Sequence, residues 1–538
     1  MPNTKFISYE VVVLNQFYKT FGNKFVLLIG AFLVPFVMTV WQIVNADNGA
    51  LLLSPYVESD TALFHYSAWF KATFSVNSYV SDIIVLSPYE RLMSFVIKSF
   101  GYSNISPFVM NCVLHALSCV CVFITSWLVF DKRTAFIALI IYVLCAPLLY
   151  FAGTTSKTNL VIFLIALSNM VAVLFFQYLR LWLAVIFVAV IMFCFIERVH
   201  VFVSLAVFLS LLFVLRGSTP LRSYYNKAII AALLIVAFLF GVSAIKFGVE
   251  PKYFSSVGLN VYLGHTKPDN HKLRLDGVRN HLIGHRIDSR EVAEKELDKK
   301  LTQSEVTFFW LEKTWAYIKQ NPSQYLLSQR QKLHHLFAKI SHSFRTEMVN
   351  LWRAERKPLK FAFFDFGSIF ALFLIGCYLV FKEGMQTKTA SYHARLFLIF
   401  SGSCYLLSIM LTIVTERYRL GSLVFMIPIA AFTLNKFIAK PKQHLALIFT
   451  SLSIFAISYV LMVTAPANYH SKEQVQRYQR SELGLLGRTK IAGFYSTREN
   501  LSENINKDDC RVLITHLKKI RFHWDVKKIK EFCLYKRK

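Results

Sequence analysis

Charged residues, glycine, proline and cysteine are all scarce in this chain. Of its 538 residues, 17% are charged, 20 are glycine, 14 are proline and 9 are cysteine. So few glycines and prolines exclude a collagen-like or low-complexity chain, and so few cysteines exclude a disulfide-rich scaffold. The 55% share of hydrophobic residues excludes a disordered chain. Because soluble domains contain roughly 45–50% apolar residues even with glycine counted, the composition predicts a polytopic membrane protein.

Long apolar runs give the predicted architecture. A bilayer core of about 30 Å needs around 20 apolar residues in a helix. Eleven runs approach this length, near 24–45, 106–130, 134–151, 158–179, 181–196, 199–215, 228–248, 361–382, 394–415, 420–438 and 443–465. We therefore predict an α-helical polytopic membrane protein in which residues 1–465 form a module of about 11 transmembrane helices. Large loops lie near 46–105 and 249–360, and residues 466–538 form a basic C-terminal domain.

The charge distribution predicts an orientation in the membrane. The chain has 60 lysines and arginines against 31 aspartates and glutamates, a formal net charge of +29. Because many of these cations lie in loops between apolar runs, they favour lipid headgroups and phosphates as partners over nucleic acid. The N-terminus and every second short loop are basic, which assigns them to the cytoplasm and the two large loops, with the C-terminal domain, to the outer side. The cations of the basic loops are Lys132, Arg133, Arg180, Arg216, Arg222, Lys227, Lys382, Lys388, Arg395, Lys436, Lys440 and Lys442.

The cysteines separate into two groups. Seven lie inside apolar runs, where they act as small hydrophobic residues. Cys510 and Cys533 are the pair in a hydrophilic segment, and an outer location is oxidising. We expect them to lie within disulfide reach, with Cα atoms closer than about 7 Å.

The segment 302–346 has the spacing of an amphipathic helix. Phe308, Phe309, Leu311, Trp315 and Ile318 recur at helical intervals. Such a helix lies on the membrane surface or packs on its own loop domain, and the periodicity favours neither.

Ionisable residues collect at the predicted outer ends of the spans. They are Glu58 and Asp60 in the first loop, Lys157, then Glu197, Arg198 and His200, and finally Glu416, Arg417 and Arg419. Burying such residues is costly, so their presence points to function. An acidic pair facing cations suits a reaction in which a carboxylate removes a proton while cations hold a phosphate leaving group.

Each of these residues also has a purely structural interpretation. Asp60 is a good N-cap for a helix starting at Thr61. The cations can extend to lipid headgroups without contacting a substrate. Glu197 and Arg198 can also form an ion pair with each other. The histidines of the second large loop lack the spacing of metal ligands, so we interpret them as solvated and predict no metal site. They are His265, His271, His281 and His285.

Several short motifs occur in a fixed order. Glu58-Ser59-Asp60 is followed by Ser87-Pro88-Tyr89 and Phe100-Gly101, then by the stretch 259–264, and finally by Glu416-Arg417-Tyr418-Arg419. This order resembles the membrane-embedded GT-C glycosyltransferases, in particular the group of protein-O-mannosyltransferases, lipid A aminoarabinose transferases and RgtA-like enzymes. The chain departs from their pattern in having Gly421 where proline is usual and Lys157 where many relatives have glutamate. Their Asp-Glu pair is replaced by Glu58 and Asp60.

The resemblance implies a GT-C-like helical bundle and an inverting transfer from a polyprenyl-phosphate sugar as donor substrate, and it assigns no cofactor. Its acceptor is a lipid, a glycan or a protein, and the setting is a bacterial inner membrane with the site facing the periplasm. It implies Asp60 as the general base, with Glu58 as the other carboxylate. The residues implied to hold the donor phosphate are Lys157, Arg198, Arg417 and Arg419, and those implied to contact the substrate are Tyr89, His200, Asn260 and Tyr418.

Three other functions remain open. An O-antigen polymerase or ligase also has many spans and a large basic outer loop, but lacks the acidic first-loop motif. A flippase or transporter for lipid-linked sugars usually shows paired repeats and interrupted helices, and no repeat is visible here. A non-catalytic membrane scaffold is the third alternative.

Overall fold

The computed structural model describes residues 25–44, 87–100, 106–153, 156–216, 222–247, 257–266, 275, 278, 282–337, 363–384, 390–414 and 416–463. These residues are almost entirely helical, as predicted. The α-helices are α1 (Phe25–Val44), α2 (Pro88–Phe100), α3 (Ser106–Val129), α4 (Lys132–Val143), α5 (Ala146–Ala152), α6 (Thr158–Tyr178), α7 (Leu181–Glu197), α8 (Phe202–Arg216), α9 (Arg222–Phe247), α10 (Val257–Thr266), α11 (Leu282–Leu297), α12 (Gln303–Gln320), α13 (Pro322–Phe337), α14 (Phe366–Gly384), α15 (Ala390–Met410), α16 (Glu416–Ala439) and α17 (Leu445–Val463). Short 3₁₀ helices cover Val199–Val201 and Lys442–His444.

The described residues fall into two compact units. The larger contains α1 and the chain from Asn111 onward, and the smaller contains α2 and the residues up to Met110. Within the smaller unit, the Ser87 backbone N–H donates to Glu90 Oε2 at 2.6 Å and the Glu90 N–H to Ser87 Oγ at 3.4 Å. This reciprocal cap, with Pro88 in the first turn, is a helix start signal. The predicted C-terminal domain 466–538 lies outside the described residues.

The helices confirm the predicted membrane class. Six are long and apolar enough to cross a bilayer: α3, α6, Val199–Arg216, α14, α15 and α16. Apolar stretches of α1, α7 and α17 are shorter. The count of about 11 spans stays a prediction.

The third predicted span is wrong as a single helix. The sequence predicts one helix over 134–151, but the chain breaks between α4 and α5 at Cys145, which has extended backbone angles. Pro147 lies in the first turn of α5 and lacks the N–H that a continuous helix would need. The Ala146 N–H instead donates to the Phe364 carbonyl at 3.0 Å, and the Phe364 N–H to the Leu144 carbonyl at 3.1 Å. A distant segment therefore satisfies the backbone groups that the break leaves open.

Helix α16 is the central element of the larger unit. It contacts α4, α5, α6, α14 and α15, and residues 419–433 are buried without interruption. A small residue brings α14 close, since a Cβ at Gly376 would lie 2.6 Å from the Ile429 side chain. At 1.5 Å per residue, the charged groups at the two ends of α16 are roughly 25–30 Å apart. The residues predicted for opposite sides of the membrane are thus held at opposite ends of one helix.

The amphipathic loop segment forms two helices that meet at Pro322. A capping box starts α12: the Thr302 N–H donates to Glu305 Oε2 at 2.7 Å, and the Glu305 N–H to Thr302 Oγ1 at 3.3 Å. One face of α12 packs on α10 through Phe309 and Trp310. This face confirms the interpretation in which the helix packs on its own loop domain. Phe308 and Trp315 remain 62% and 60% exposed, so membrane contact by this second face stays a prediction.

Candidate functional site

Arg198 occupies the centre of a charged cluster at the Glu416 end of α16. It follows the last residue of α7 with extended backbone angles, so its side chain leaves the helix axis. Its Nη1 donates to the Arg417 carbonyl, and its Nη2 donates to Thr158 Oγ1 at 3.0 Å. The guanidinium lies 4.7 Å from the centre of the Tyr418 ring. Three predicted turns are therefore brought together, those following α5 and α7 and the one preceding α16.

The charge of Arg198 is buried without a neutralising carboxylate among the residues that the structure describes. The residue is 5% exposed, and no described aspartate or glutamate forms an ion pair with it. Its Nε also finds no hydrogen-bond acceptor in this part of the chain. Burying a charge in this way costs free energy unless an opposite charge arrives. The arrangement is suited to an anion.

Glu197 pairs with Lys157, not with Arg198. Lys157 Nζ lies 3.5 Å from Glu197 Oε2 and donates to the Glu197 carbonyl at 3.4 Å. The Glu197 side chain is completely buried. The internal ion pair that we considered between Glu197 and Arg198 is wrong, because α7 ends between them and the extended backbone turns Arg198 toward α16. Glu197 neutralises Lys157 and leaves Arg198 to other partners.

Tyr418 organises the remaining groups of the cluster. Its ring centre lies 5.6 Å from the Arg417 guanidinium and 5.5 Å from the His200 ring. His200 Nε2 is 3.3 Å from Thr412 Oγ1, at the end of α15. Cations stacked on an aromatic face keep their edges available for hydrogen bonds. Tyr418 thereby fixes the plane of Arg198.

Arg419 is used differently from Arg198. It is fully buried, its Nη1 donates to the Leu336 carbonyl at 2.6 Å, and its guanidinium lies 5.1 Å from the Phe366 ring centre. Leu336 is in the last turn of α13, where unpaired carbonyls and the helix dipole favour a cation. This geometry joins the start of α16 to the end of α13. The predicted contact of Arg419 with the donor phosphate stays a prediction.

Lys332 and His265 form a second buried group that the sequence interpretation missed. Lys332 is 1% exposed; its Nζ donates to the Met410 carbonyl at 2.8 Å and lies 3.4 Å from His265 Nδ1. Gln329 Nε2 also lies 2.9 Å from His265 Nδ1. With Nδ1 accepting these contacts, Nε2 carries the proton and donates to the Leu411 carbonyl at 3.1 Å. The end of α15 therefore joins this pair to His200.

Burial lowers the pKa of both groups. It lowers the pKa of Lys332 to about 7. Burial, with Lys332 as a second cause, lowers the pKa of His265 to about 4. At neutral pH, His265 is uncharged and Lys332 is close to its midpoint, so a nearby anion would favour protonated Lys332.

The interpretation of His265 as a solvated loop histidine is wrong, since it is 5% exposed. The reason is a close approach: a Cβ at Gly264 would collide with the Thr412 carbonyl, so α10 lies against the end of α15. The sequence feature that indicates this buried group is Lys332 itself. This lysine lies one turn from Ser328 and one turn from Leu336, on the buried face of α13.

The other predicted site residues lie in different places. Asn260 is half-buried on α10, one turn before Gly264, and Tyr89 is buried in the smaller unit. Gly421, where relatives have proline, continues α16, and a Cβ there would collide with the Tyr405 hydroxyl. Glu58 and Asp60 lie outside the described residues, as do Cys510 and Cys533.

No protein-family model matches the sequence, and no curated protein is significantly similar to it. Solved structures of an archaeal oligosaccharyltransferase from Archaeoglobus fulgidus are similar in shape. The complex with Zn and sulfate has a TM-score of 0.42 and 15% identity, covering 80% of this chain and 52% of that one. AglB with an inhibitory peptide and a dolichol-phosphate has a TM-score of 0.44 and 13% identity, covering 96% and 60%. The form tethered to an acceptor peptide has a TM-score of 0.44 and 12% identity, covering 95% and 59%.

This chain thus spans between half and three fifths of the length of those proteins. The similarity to these oligosaccharyltransferases is one of shape. At TM-scores below 0.5, it transfers no substrate, reaction or residue role to this chain.

Proposed function

We propose that this chain is a membrane glycosyltransferase of the GT-C type that moves a sugar from a polyprenyl phosphate to an outer-side acceptor. The acceptor is a lipid, a glycan or a protein, and the setting is a bacterial inner membrane with the site facing the periplasm. The observation that carries the proposal is Arg198. It is a buried guanidinium held by a carbonyl, a hydroxyl and an aromatic ring, without a carboxylate among its described neighbours.

A phosphate leaving group fits this arrangement. As the bond between the anomeric carbon and the phosphate oxygen breaks, negative charge grows on the phosphate. Cations already held in place stabilise that charge without reorganising. Arginine presents a planar fork that binds two phosphate oxygens, and Tyr418 keeps that fork in one plane. Arg417 adds a second cation on the same ring.

Lys332 is a cation whose protonation depends on whether an anion is bound. Without an anion, its lowered pKa leaves part of the population neutral, which reduces the cost of burial. A phosphate nearby would raise that pKa and recruit the proton. Lys157 contributes less, because Glu197 already neutralises it.

The acceptor needs a base, and the motif resemblance supplies Asp60 for that role with Glu58 as the second carboxylate. Asp60→Asn keeps the size and helix-capping ability of the side chain but removes its basicity. Transfer should fall by about 10²–10⁴ while the protein still accumulates in the membrane. Glu58→Gln should do less harm. Near-normal transfer by Asp60→Asn would reduce Asp60 to a helix cap.

The direct test compares Arg198→Gln with Arg216→Gln, which removes an arginine from the far end of α8. Membranes containing each variant are given undecaprenyl-phosphate mannose and undecaprenyl-phosphate aminoarabinose, and sugar transfer is measured. Binding of undecaprenyl phosphate to the purified protein is measured separately. Arg198→Gln should lose about 10²–10³ in transfer and bind the lipid phosphate more weakly, whereas Arg216→Gln should match the natural protein. Equal transfer and binding by both variants would contradict the proposal.

A transporter of lipid-linked sugars is the second candidate, because the break between α4 and α5 is an interrupted helix. The break is lined by buried apolar residues and bonded to Phe364, which favours the transferase. Proteoliposomes separate the two, since a transporter moves labelled undecaprenyl-phosphate mannose across the bilayer without breaking its phosphate bond.

A further inference from the structure

A cavity lies at the Ala439 end of α16, away from the Arg198 cluster. Its volume is about 580 Å³, and it is lined by the ends of α4, α14, α15 and α16 and by Gln443 and His444. Ligand sites commonly measure about 300–1,000 Å³. The space is therefore large enough for a phosphate with an attached headgroup.

One wall of the cavity is a rigid cationic frame. The Arg395 guanidinium lies 4.7 Å from the Phe130 ring centre and 5.5 Å from that of Phe432, and the two rings are stacked at 4.5 Å. Glu383 bridges Arg395 at 3.2 Å and Lys436 at 2.7 Å through its two oxygens. A single carboxylate thus serves two cations, so this wall keeps a net positive charge.

Two further cations line the cavity and have no carboxylate partner among the described residues. Asp131 is committed to the helix start, where its Oδ1 accepts the Thr134 N–H at 2.8 Å and its Oδ2 accepts from Asn435 Nδ2 at 3.3 Å. Arg133 and Lys440 line the cavity, are exposed and form no ion pair in the described ranges. Among the described residues that line the cavity there are thus four lysines and arginines and two carboxylates, and both carboxylates already have partners.

We propose that this cavity binds a phosphate group, most simply that of an anionic lipid headgroup, at the opposite end of the bundle from the sugar-transfer site. Basic pockets between the ends of membrane helices recognise such headgroups. Arg133 and Lys440 contact the phosphate, and the Arg395 and Lys436 wall holds its other side. Apolar side chains of Leu379, Phe432 and Ala439 line the remaining surface. This site is independent of the transfer reaction.

The test uses the full chain, purified in a neutral detergent, with phosphatidylglycerol, phosphatidylcholine and inorganic pyrophosphate as separate probes. Binding is followed by native mass spectrometry and by the shift in Tm. The variant Arg133→Gln with Lys440→Gln removes two lining cations. The matched control, Lys382→Gln with Lys442→Gln, removes two exposed cations from the same end that do not line the cavity.

The natural protein and the control should bind phosphatidylglycerol in preference to phosphatidylcholine, and binding should weaken with salt. The cavity variant should bind at least about tenfold more weakly. If pyrophosphate binds with the same dependence on Arg133 and Lys440, the ligand is a soluble phosphate and the site stands. Equal phosphatidylglycerol binding by all three proteins, or binding of neither anion, would overturn the proposal. Lys440→Gln alone gives the same comparison if the double variant does not fold.

Discussion

Arg198 and Arg395 lie at opposite ends of the central helix, and both guanidinium groups stack on aromatic rings. Arg395 is half-buried and shares Glu383 with Lys436. Arg198 is more deeply buried, yet it rests on a carbonyl, a hydroxyl and Tyr418. A carboxylate partner offsets the cost of removing an arginine from water, whereas an arginine without one stays costly to bury until an anion binds. The lack of a carboxylate among the described neighbours of Arg198, and not the number of cations, distinguishes the proposed transfer site.

Among the changes that test this comparison, the largest effect should come from replacing Arg198 with methionine. Transfer should fall by about 10²–10³, while Tm should stay unchanged or rise, because an uncompensated buried charge is removed. Arg395→Met provides the contrast and should lower Tm, since it removes the ion pair with Glu383 and the guanidinium contacts with Phe130 and Phe432. A thermal-unfolding series in detergent measures both variants. A fall in Tm for Arg198→Met as large as that for Arg395→Met would break the distinction between the two ends.

A pH profile should reveal the cost of burying Lys332. The pKa of this group is lowered from 10.5 to about 7, so the unfolded chain binds more protons between these values. The free energy of unfolding therefore rises with pH across this window, and the cost of burial is fully present below pH 7. Lys332→Met should remove that slope and stabilise the protein at pH 7 by on the order of 4 kcal/mol.

The matched control for this profile is Lys295→Met, which changes an exposed lysine on α11. It should leave the slope unchanged. A natural protein whose stability is flat between pH 7 and 10 would show that Lys332 is not buried as a neutral amine.

A glycine pair tests the packing behind the Arg198 end. A Cβ at Gly264 would collide with the Thr412 carbonyl and lie 3.2 Å from Lys332 Nζ, whereas Gly30 in α1 has nothing within 4 Å. Gly264→Ala should destabilise the protein by about 1–3 kcal/mol through overpacking. Gly30→Ala should stabilise it slightly, because alanine favours the helix. If the two variants change Tm in the same direction relative to the natural protein, the close approach of α10 to α15 is contradicted.

The smallest effect is expected for Glu383→Gln at the other end. Glu383 is partly exposed, so its loss should cost only about 1 kcal/mol. The same change should strengthen phosphatidylglycerol binding, because the cavity loses a negative charge. Weaker binding would show that Glu383 is needed to hold Arg395 and Lys436 in place.

The sequence predicted the helices well because hydropathy is a local property. It also placed Lys157, Arg198 and Arg417 at one end of the bundle, since alternating spans return the chain to the same side. The sequence did not predict which of these cations forms an ion pair with a carboxylate. Glu197 is next to Arg198 in the chain, yet the end of α7 sends the two side chains to different partners.

The burial of residues in the loop helices could not be predicted from the local sequence either. His265 is buried by a segment that begins 145 residues later at Met410, and Lys332 contacts both. A histidine in a hydrophilic segment carries no local sign of such packing. Gly264 was visible in the sequence, but its role depends on the Thr412 carbonyl across the interface.

The bridge between Cys145 and Phe364 has a consequence for biosynthesis. The Ala146 N–H and the Leu144 carbonyl bond to Phe364, which the ribosome adds about 220 residues later. At roughly 5–20 residues per second, these groups wait about 10–40 s for their partner. Until then, the Ala146 N–H and the Leu144 carbonyl would be left without hydrogen-bond partners if the α4–α5 segment were buried in the apolar interior. The α4–α5 segment therefore packs fully only after the second half of the chain has been made. A chain truncated before Phe364 should be degraded by membrane quality control.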